Sequence, residues 1–291
     1  SINQVPANLH VVKGDAMLPS KGNGKVGYAA CGTRFPQFGN ATGRFSLVDM
    51  AFIAKAAYGK DVSNVQDAME IILPDELGFA HSIVSRPSDT GSSHIFLTDI
   101  HFPAWNVTII AVRGSTIRAD WFENAYTWGE AAMLRTIQSV MFFPIGKTAP
   151  WLISALAKIR AYGAGYVSTA ANHVDDVRKL RPQDELLITG HSLGAGVSNI
   201  VAAMKKIQGV GFEGPGVMLQ HERFGFSRED ADLYTFNTYM AGDPVPFVDT
   251  QAGDVQQLRT NCFFLTCHFQ NTIVEDLRET CGDVIRREFV E

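Results

Sequence analysis

A serine flanked by glycines is the residue of this chain best suited to covalent chemistry. Ser192 lies in the segment 190–194, which reads Gly-His-Ser-Leu-Gly and directly follows the apolar run 186–189. Apolar residues then recur at helical spacing from Val197 to Ile207. A strand, a glycine-flanked serine and a helix, in this order, are typical of the G-x-S-x-G turn that exposes a nucleophilic serine. We therefore predict that Ser192 is a nucleophile; the alternative is a structural strand-to-helix turn.

A nucleophilic serine needs a histidine base, and a carboxylate must orient that base, because a hydroxyl is a weak nucleophile at neutral pH. In α/β proteins with a G-x-S-x-G turn, the three catalytic residues follow one another along the chain in the order serine, acid, histidine. Only His221 and His268 follow Ser192, and only His268 also follows every candidate acid. We therefore predict that His268 is the base. The open alternative is that His268 is structural and that the base lies beyond Glu291.

The acid candidate is Asp243, in the segment 241–246 with the sequence Ala-Gly-Asp-Pro-Val-Pro. It follows the apolar run 233–236, which is predicted as a strand. Catalytic groups of open α/β sheets gather at the carboxyl ends of the strands, so this is where an acid is expected. The alternative is that the Asp-Pro pair only caps a turn. Asp249 and Asp254 are the reserve candidates.

Hydrolysis by this serine would also require two N–H donors for the negative oxygen of a tetrahedral intermediate. The backbone amide of Leu193 is the first candidate. The apolar strand 107–112 leads into Arg-Gly-Ser at 113–115, where Gly114 would permit a sharp change of direction. The predicted oxyanion hole therefore consists of Leu193 and Ser115.

The remaining histidines are not assigned to catalysis. His191 belongs to the serine turn and is expected to pack there or to make a hydrogen bond within the turn. The others precede the serine, and they are expected at the surface or in turns. They are His10, His81, His94, His101 and His173.

The pattern along the chain predicts a single α/β domain over residues 1–291, because no repeat, low-complexity tract or linker-like segment interrupts it. Helices are predicted over 46–58, with Ser46 as N-cap, and over 166–180. Strand–helix–strand succession around the serine indicates a mostly parallel sheet with crossover helices. The strand-like runs are 79–85, 94–100, 107–112 and 186–189.

Composition argues against several classes of function. Hydrophobic residues make up 46% of the chain and charged residues 19%, which suits a large packed core and argues against disorder. The net charge of −5, with no basic stripe, argues against a nucleic-acid partner and against general attraction to anionic membranes. Proline, glycine and lysine interrupt the most apolar region, 140–159, so no transmembrane span is predicted.

Four cysteines bear on metal binding and on the cellular compartment. The spacing of the last three suits no common zinc module, so no metal site is predicted. A secreted protein could form one or two disulfides, for instance between Cys31 and one of the C-terminal group, and buried free thiols are the alternative. No signal peptide is visible at Ser1, and a mature form would have none, so a secreted or extracellular location is an open expectation. The four residues are Cys31, Cys262, Cys267 and Cys281.

Three motif blocks together resemble the class 3 lipase family, whose known members include fungal triacylglycerol lipases. The first block is Val-Arg-Gly-Ser at 112–115, followed by Asp-Trp at 120–121. The second is the serine turn at 189–194, and the third is Gly-Asp-Pro-Val-Pro at 242–246. The resemblance covers roughly residues 46–250.

This resemblance implies an α/β-hydrolase fold, with Ser192 as nucleophile, Asp243 as acid and the amides of Ser115 and Leu193 as oxyanion hole. It also implies hydrolysis of acylglycerol lipids through an acyl-enzyme, with no cofactor. In the family the histidine lies farther downstream of its aspartate than the 25 residues that separate His268 from Asp243 here. The base assignment therefore stays open at this stage.

The segment that follows the oxyanion loop forms a lid over the serine in that family. Residues 116–151 are the corresponding lid or cap here, and Met133, Ile137, Val140 and Met141 fall on one helical face of it. As a lid, this face would open onto a lipid interface and make transient contact with it. An ordinary packed helix pair is the alternative.

Two rival functions remain open beside a triacylglycerol or diacylglycerol lipase. One is an esterase of soluble or cell-wall esters, such as feruloyl esters. The other is a lipase-like scaffold with a decayed triad that binds lipid or protein partners.

Overall fold

The computed structural model describes residues 17–19, 26–40, 43–75, 78–85, 95–114, 149–259, 262 and 266–283. In the helix that begins at Ala149, side chains are described from Gly165 onward. Ser115 and nearly all of the predicted lid, including its apolar face, lie outside the described residues, as do His10 and His94.

Two small antiparallel sheets precede the main body of the fold. β1 (Met17–Pro19) pairs with β2 (Val26–Tyr28), and β3 (Arg34–Phe35) pairs with β4 (Phe45–Ser46). A seven-stranded sheet follows and forms the centre of the described structure. Its strands are β5 (Ser82–Ser85), β6 (Leu97–Phe102), β7 (Val107–Val112), β8 (Glu185–His191), β9 (Gln208–Phe212), β10 (Thr235–Met240) and β11 (Asp254–Leu258).

The central sheet has the order β11-β10-β9-β8-β7-β6-β5. Strands β7 to β11 are parallel to one another, and β5, β6 and β7 pair in antiparallel fashion. A mostly parallel sheet with helical crossovers is the α/β-hydrolase architecture that the sequence predicts. In its register Val112 lies opposite Gly190, so the loop after β7 begins beside the serine turn.

Helices cover both faces of this sheet. Among the described residues, none combines the length and apolar character needed to cross a membrane. The described helices are α1 (Leu47–Ala56), α2 (Val62–Ile72), α3 (Ala149–Leu180), α4 (Leu193–Lys205), α5 (His221–Phe224), α6 (Arg228–Tyr234) and α7 (Gln270–Cys281).

The start of α1 follows from its capping residues. The Ser46 hydroxyl accepts a hydrogen bond from the N–H of Asp49 at 3.1 Å, and the Asp49 carboxylate accepts one from the N–H of Ser46 at 2.7 Å. This capping box satisfies N–H groups that the first turn leaves unpaired. The predicted helix and its N-cap are therefore confirmed, although α1 ends two residues before Tyr58.

Two predicted boundaries are wrong. Helix α3 begins at Ala149 rather than at residue 166, because an interior glycine such as Gly165 weakens a helix by only about 1 kcal/mol and does not end it. The run 233–236 is not one strand, since its first two residues end α6 and β10 starts at Thr235. Ser227 caps α6 by accepting a hydrogen bond from the N–H of Asp230.

The core consists of two apolar clusters, one on each face of the sheet. In β7, Ile109 belongs to the cluster under α1, α2 and α7, and Ile110 belongs to the cluster under α3 and α4. Leu187 and Ile188 divide in the same way in β8. Strands buried on both faces read as continuous apolar runs, which is why the sequence identifies these two central strands.

All four cysteines are paired in two disulfides, so the free-thiol alternative is wrong. Cys31 pairs with Cys281 across 250 residues and joins the N-terminal part of the described chain to the last residue of α7. Cys262 pairs with Cys267 across five residues and closes the loop just before His268.

Candidate active site

Ser192 lies at the turn between β8 and α4, as predicted. Its backbone has φ 59° and ψ −125°, a region that residues with a side chain rarely adopt. Its N–H donates to the carbonyl oxygen of Phe212 at 2.9 Å, which fixes the turn against β9. Strand, strained serine and helix thus form the predicted elbow.

The glycines of this turn are required because backbone segments approach them closely. A Cβ on Gly190 would lie 2.5 Å from the carbonyl carbon of Gly194, and one on Gly194 would lie 2.3 Å from the oxygen of Val112. Close approach, rather than a change of direction, also explains Gly114, where a Cβ would lie 2.4 Å from the oxygen of His191. The serine turn and the oxyanion loop are therefore packed backbone against backbone.

The structure brings together the three residues predicted to form a triad. The Ser192 hydroxyl lies 2.7 Å from Nε2 of His268, and Nδ1 of His268 lies 2.7 Å from Oδ2 of Asp243. Because an ionised carboxylate can only accept, Nδ1 of the neutral ring carries the proton. Nε2 is then free to accept the serine proton, which is the tautomer that a general base needs.

Asp243 is buried, and its hydrogen bonds hold it in the ionised form. Its Oδ1 accepts from the N–H of Val245 at 3.0 Å, and Oδ2 accepts from His268. Burial raises the pKa of Asp243, but hydrogen bonds from His268, from Glu213 and from the N–H of Val245 outweigh it, so this pKa lies below its ordinary value.

The other candidates for acid and base have partners elsewhere. Asp249 accepts hydrogen bonds from the N–H groups of Leu219 and Thr250, and Asp254 lies in β11 near Gln37. His221 donates from Nδ1 to the carbonyl oxygen of Met218.

The histidine next to the serine is hydrogen-bonded to the backbone of the candidate base. Nε2 of His191 lies 3.0 Å from the carbonyl oxygen of His268 and therefore donates to it. Its Nδ1 then accepts from the hydroxyl of Tyr58 at 2.9 Å. Burial, reinforced by the charge that His268 can carry, lowers the pKa of His191 to about 3, so the ring is neutral. The sequence placed His191 in a structural role but did not identify Tyr58 as its partner.

Glu213 is the second residue of the site that the sequence analysis missed. It follows β9, has a φ of 53° and is fully buried. Its carboxyl oxygens accept from the N–H of Met240 at 3.0 and 3.2 Å. The available signal was a single acidic residue directly after a strand, within the glycine-rich run 209–216.

Three side chains of types that bind metals lie together in the described part of the chain. The polar atoms of Glu213, Asp243 and His268 are all within 4.8 Å of one another. Each is already bonded to a neighbour, so the arrangement fits a chain of hydrogen bonds ending at Ser192.

The expectation for the remaining histidines is only partly correct. The side chain of His81 is fully buried and bonds the carbonyl oxygen of Phe79. His173 lies 2.7 Å from Asp99, and His101 lies 3.3 Å from Asp184. The side chains of Asp99 and Asp184 are buried in the sheet region, and each has a histidine ring within hydrogen-bond or ion-pair distance. The two histidines are therefore mostly buried rather than at the surface.

A cavity of about 810 Å³ opens at the serine. Its volume lies within the usual range for small-molecule sites. Helices α1 and α2 supply one wall, and Ser192 and His268 supply the other. The lining is mixed: Phe52, Ala56, Ala68, Ile72 and Phe269 are apolar, and Lys55, Lys60, Asn64, Asp67, Gln270 and Asn271 are polar or charged.

The mostly parallel sheet and the serine elbow define this protein as an α/β hydrolase. Residues 109–251 match the family model described as lipase (class 3). This match supports a class 3 lipase-like family and a lipase-type ester hydrolase. The matched segment contains Ser192 and Asp243, whereas His268 lies beyond it.

Several solved lipase structures are similar to this chain. Lipase II from Rhizopus niveus has 16% sequence identity and a TM-score of 0.38, with 69% of this chain and 73% of that chain covered. Lip2 lipase from Yarrowia lipolytica has 14% identity and a TM-score of 0.42, with 73% and 77% covered. The mono- and diacylglycerol lipase from Aspergillus oryzae has 16% identity and a TM-score of 0.39, with 70% and 74% covered. A comparison with curated protein sequences finds no significant match.

Proposed function

We propose that this protein is a serine-dependent carboxylic ester hydrolase that acts on acylglycerol lipids. The observation that carries the proposal is the continuous chain of hydrogen bonds from Asp243 through His268 to the hydroxyl of Ser192, at the wall of a cavity. These two distances argue against a decayed triad. The family match adds the lipase-type ester as substrate class.

In the proposed reaction, Oγ of Ser192 attacks the ester carbonyl carbon while Nε2 of His268 takes the serine proton. The ionised Asp243 stabilises the resulting imidazolium. The C–O bond to the alcohol then breaks, and His268 returns the proton to the departing alkoxide. A water molecule, deprotonated by the same histidine, then attacks the acyl carbon. The bond from that carbon to Oγ of Ser192 breaks, His268 returns the proton to Oγ, and the fatty acid is released.

The negative oxygen of each tetrahedral intermediate would be bound by the amides of Leu193 and Ser115. Leu193 is the first residue of α4, so its N–H has no partner within the helix and lies at the positive end of the helix dipole. Ser115 directly follows Gly114, which packs against the serine turn. Loss of one such donor typically lowers turnover about 100- to 1000-fold.

We further propose one domain over residues 1–291, with residues 116–151 as a lid that contacts the lipid interface transiently. The apolar face of this segment is the sequence feature behind the proposal. A secreted or extracellular location fits the two disulfides, because disulfides persist in oxidising compartments.

Labelling with a serine-directed phosphonate tests the nucleophile and its base. The wild-type protein should gain one phosphonate, and Ser192→Ala should gain none. His268→Ala should lower the labelling rate by about 10⁴-fold, because the triad members act as a unit. Equal labelling of Ser192→Ala would contradict the nucleophile, and an unchanged rate in His268→Ala would contradict the base.

Acyl release from an emulsified long-chain triglyceride and from a soluble short-chain ester tests the substrate class. Ser192→Ala serves as the blank. Turnover that rises sharply when the emulsion forms is expected for a lipase whose lid opens at the interface. Activity confined to the soluble ester would favour an esterase. No release from either ester would favour a binding scaffold.

A further inference from the structure

A second buried acid lies behind the proposed triad. Glu213 directly follows β9, and Asp243 follows β10, its parallel neighbour in the sheet. The N–H of Glu213 donates to the carbonyl oxygen of Thr238 at 2.8 Å, which ties the loop after β9 to β10. The two acids therefore project from adjacent strand ends toward the same place.

The surroundings of the two carboxyl groups indicate which of them holds a proton. The carboxyl groups of Glu213 and Asp243 have oxygens within 4.8 Å of each other. Two buried carboxylates this close repel each other strongly, so a shared proton is favoured. Asp243 accepts hydrogen bonds from His268 and from the N–H of Val245. Glu213 accepts from one backbone group, the N–H of Met240. Asp243 is the better-stabilised anion, and the proton belongs on Glu213.

We propose that Glu213 is a positioning residue that remains protonated at neutral pH and donates a hydrogen bond to the carboxylate of Asp243. This bond would keep Asp243 ionised and aimed at Nδ1 of His268. The inference rests on the proposed function, because it concerns the acid of that triad. The positive φ of Glu213 is consistent with it, since backbone strain of this kind persists where the surrounding structure demands it.

The proposal has a consequence for the pH dependence of stability. Burial, followed by the hydrogen bond and charge of Asp243, raises the pKa of Glu213 well above its ordinary value. Between the ordinary and the raised pKa, the folded chain holds one proton more than the unfolded chain, so stability falls as pH rises. In the described part of the chain, the titratable groups facing Glu213 are Asp243 and, beyond it, His268.

Two substitutions separate a proton donor from a structural filler. Glu213→Gln keeps a neutral donor for Asp243 and an acceptor for the N–H of Met240. Glu213→Ala removes both and should lower kcat about 10- to 100-fold with little change in KM, as for other residues that orient a catalytic group. Glu213→Gln should recover most of that loss. Asp249→Asn is the matched control, because Asp249 is equally buried and lies outside the triad.

The pH dependence of stability and of kcat distinguishes a proton donor from a residue that only fills space, because a residue that only fills space would not change it. The free energy of unfolding of Glu213→Gln relative to the wild type should rise as the pH is raised above 4.5, the ordinary pKa of a glutamate, because the glutamine has no proton to lose. The alkaline decline of wild-type kcat caused by ionisation of Glu213 should also be absent from Glu213→Gln. Asp249→Asn should reproduce neither effect.

Two results would overturn the proposal. One is a stability difference between Glu213→Gln and wild type that does not change with pH, and the other is equal loss of kcat in the glutamine and alanine variants. If Glu213→Ala does not fold, the comparison of Glu213→Gln with the wild type still decides the question. Absence of Ser192 labelling in the wild type would instead contradict the proposed function, and the stability comparison would still locate the proton.

Discussion

At the residue scale, the candidate base is held by groups that do not themselves take part in the proposed chemistry. His191 donates to the carbonyl oxygen of His268, and Tyr58 donates to His191. A carbonyl oxygen accepts but cannot donate, so Nε2 of His191 must carry the proton. Nδ1 of the neutral ring is then left to accept the hydrogen bond from Tyr58. This network fixes the backbone at His268, while Asp243 fixes its ring.

The buried, neutral state of His191 makes a prediction about acid stability. Its pKa is about 3 in the fold and 6.5 ordinarily, so between these values the unfolded chain binds a proton that the folded chain does not. This contribution to stability is complete above pH 6.5 and is lost as pH falls toward 3, by up to about 1.4 kcal/mol per pH unit. His191→Gln should therefore lose less stability than the wild type on acidification.

The measurement is urea unfolding of both proteins at a series of pH values between the two pKa values. The difference between the variants isolates His191, because all other groups titrate in both. Parallel pH dependences would contradict the prediction, because they would show that the pKa of His191 is the same in the folded and the unfolded chain.

At the element scale, the site depends on how closely three chain segments approach one another. The three segments are the ends of β7 and β8 and the start of α4. They meet at Gly114, Gly190 and Gly194, where neighbouring backbone atoms leave no room for a side chain. This close approach brings the loop after β7 to the serine, as an oxyanion loop requires. The spacing of the motif in the sequence is thus a consequence of backbone packing.

Gly194→Ala tests this packing. The added Cβ would lie 2.3 Å from the carbonyl oxygen of Val112, which must move away. Overpacking of this kind should lower the free energy of unfolding by about 1–3 kcal/mol and should displace the oxyanion loop, so kcat should fall as well. Gly165→Ala is the matched control, since no atom of the described residues lies within 4 Å of its added Cβ. It should stabilise α3 by about 1 kcal/mol. Equal stability of the two variants would contradict this account.

The short disulfide between Cys262 and Cys267 closes the loop directly before His268, the candidate base. Cys267 precedes His268 and is fully buried, and a Cβ on Gly242 would lie 2.6 Å from its sulfur. The residue before the candidate base therefore packs directly on the residue before the candidate acid. Without this contact, the two loops would lose their alignment.

Replacement of both Cys262 and Cys267 by serine should therefore lower kcat more than it lowers stability. A loop of this length stabilises by about 2 kcal/mol in the chain-entropy model, so the protein should still fold. Rates of phosphonate labelling and thermal unfolding of the same samples separate the two effects. A labelling rate equal to that of the wild type would show that the disulfide does not position His268.

At the scale of the whole molecule, the active site extends beyond the matched family segment. Residues 109–251 contain the proposed nucleophile and acid. The proposed base lies in the loop before α7, and α1 and α2 supply one cavity wall. Helix α7 is joined to the N-terminal part of the described chain by Cys31–Cys281. This disulfide therefore links the N-terminal part of the described chain to the helix that follows His268.

Removal of this disulfide should affect stability far more than chemistry. Cys31→Ala with Cys281→Ala opens a loop of 250 residues, which corresponds to about 5.5 kcal/mol of unfolding free energy in the chain-entropy model. Urea unfolding should detect this loss, and Ser192 should still be labelled at low temperature at close to the wild-type rate. A stability loss no larger than that of the short disulfide would contradict the prediction.

The sequence by itself determined the local features of this protein. Glycines around Ser192, a buried apolar strand before it and helical periodicity after it are short-range signals, and they identified the elbow, the central strands and the fold class. Ser46, predicted as N-cap, likewise located the start of α1. Such signals are readable because each one reports a steric or hydrogen-bonding demand within a few residues.

Only the tertiary structure decided which distant residues meet. Pairing of Ser192 with His268 across 76 residues depends on the order of parallel strands, which brings their carboxyl ends to one edge of the sheet. Glu213 and Tyr58 were missed for the same reason, because nothing next to them in the chain indicates Asp243 or His191. Their roles arise from burial, which raises the pKa of Glu213 and lowers that of His191, and burial is a property of the folded chain.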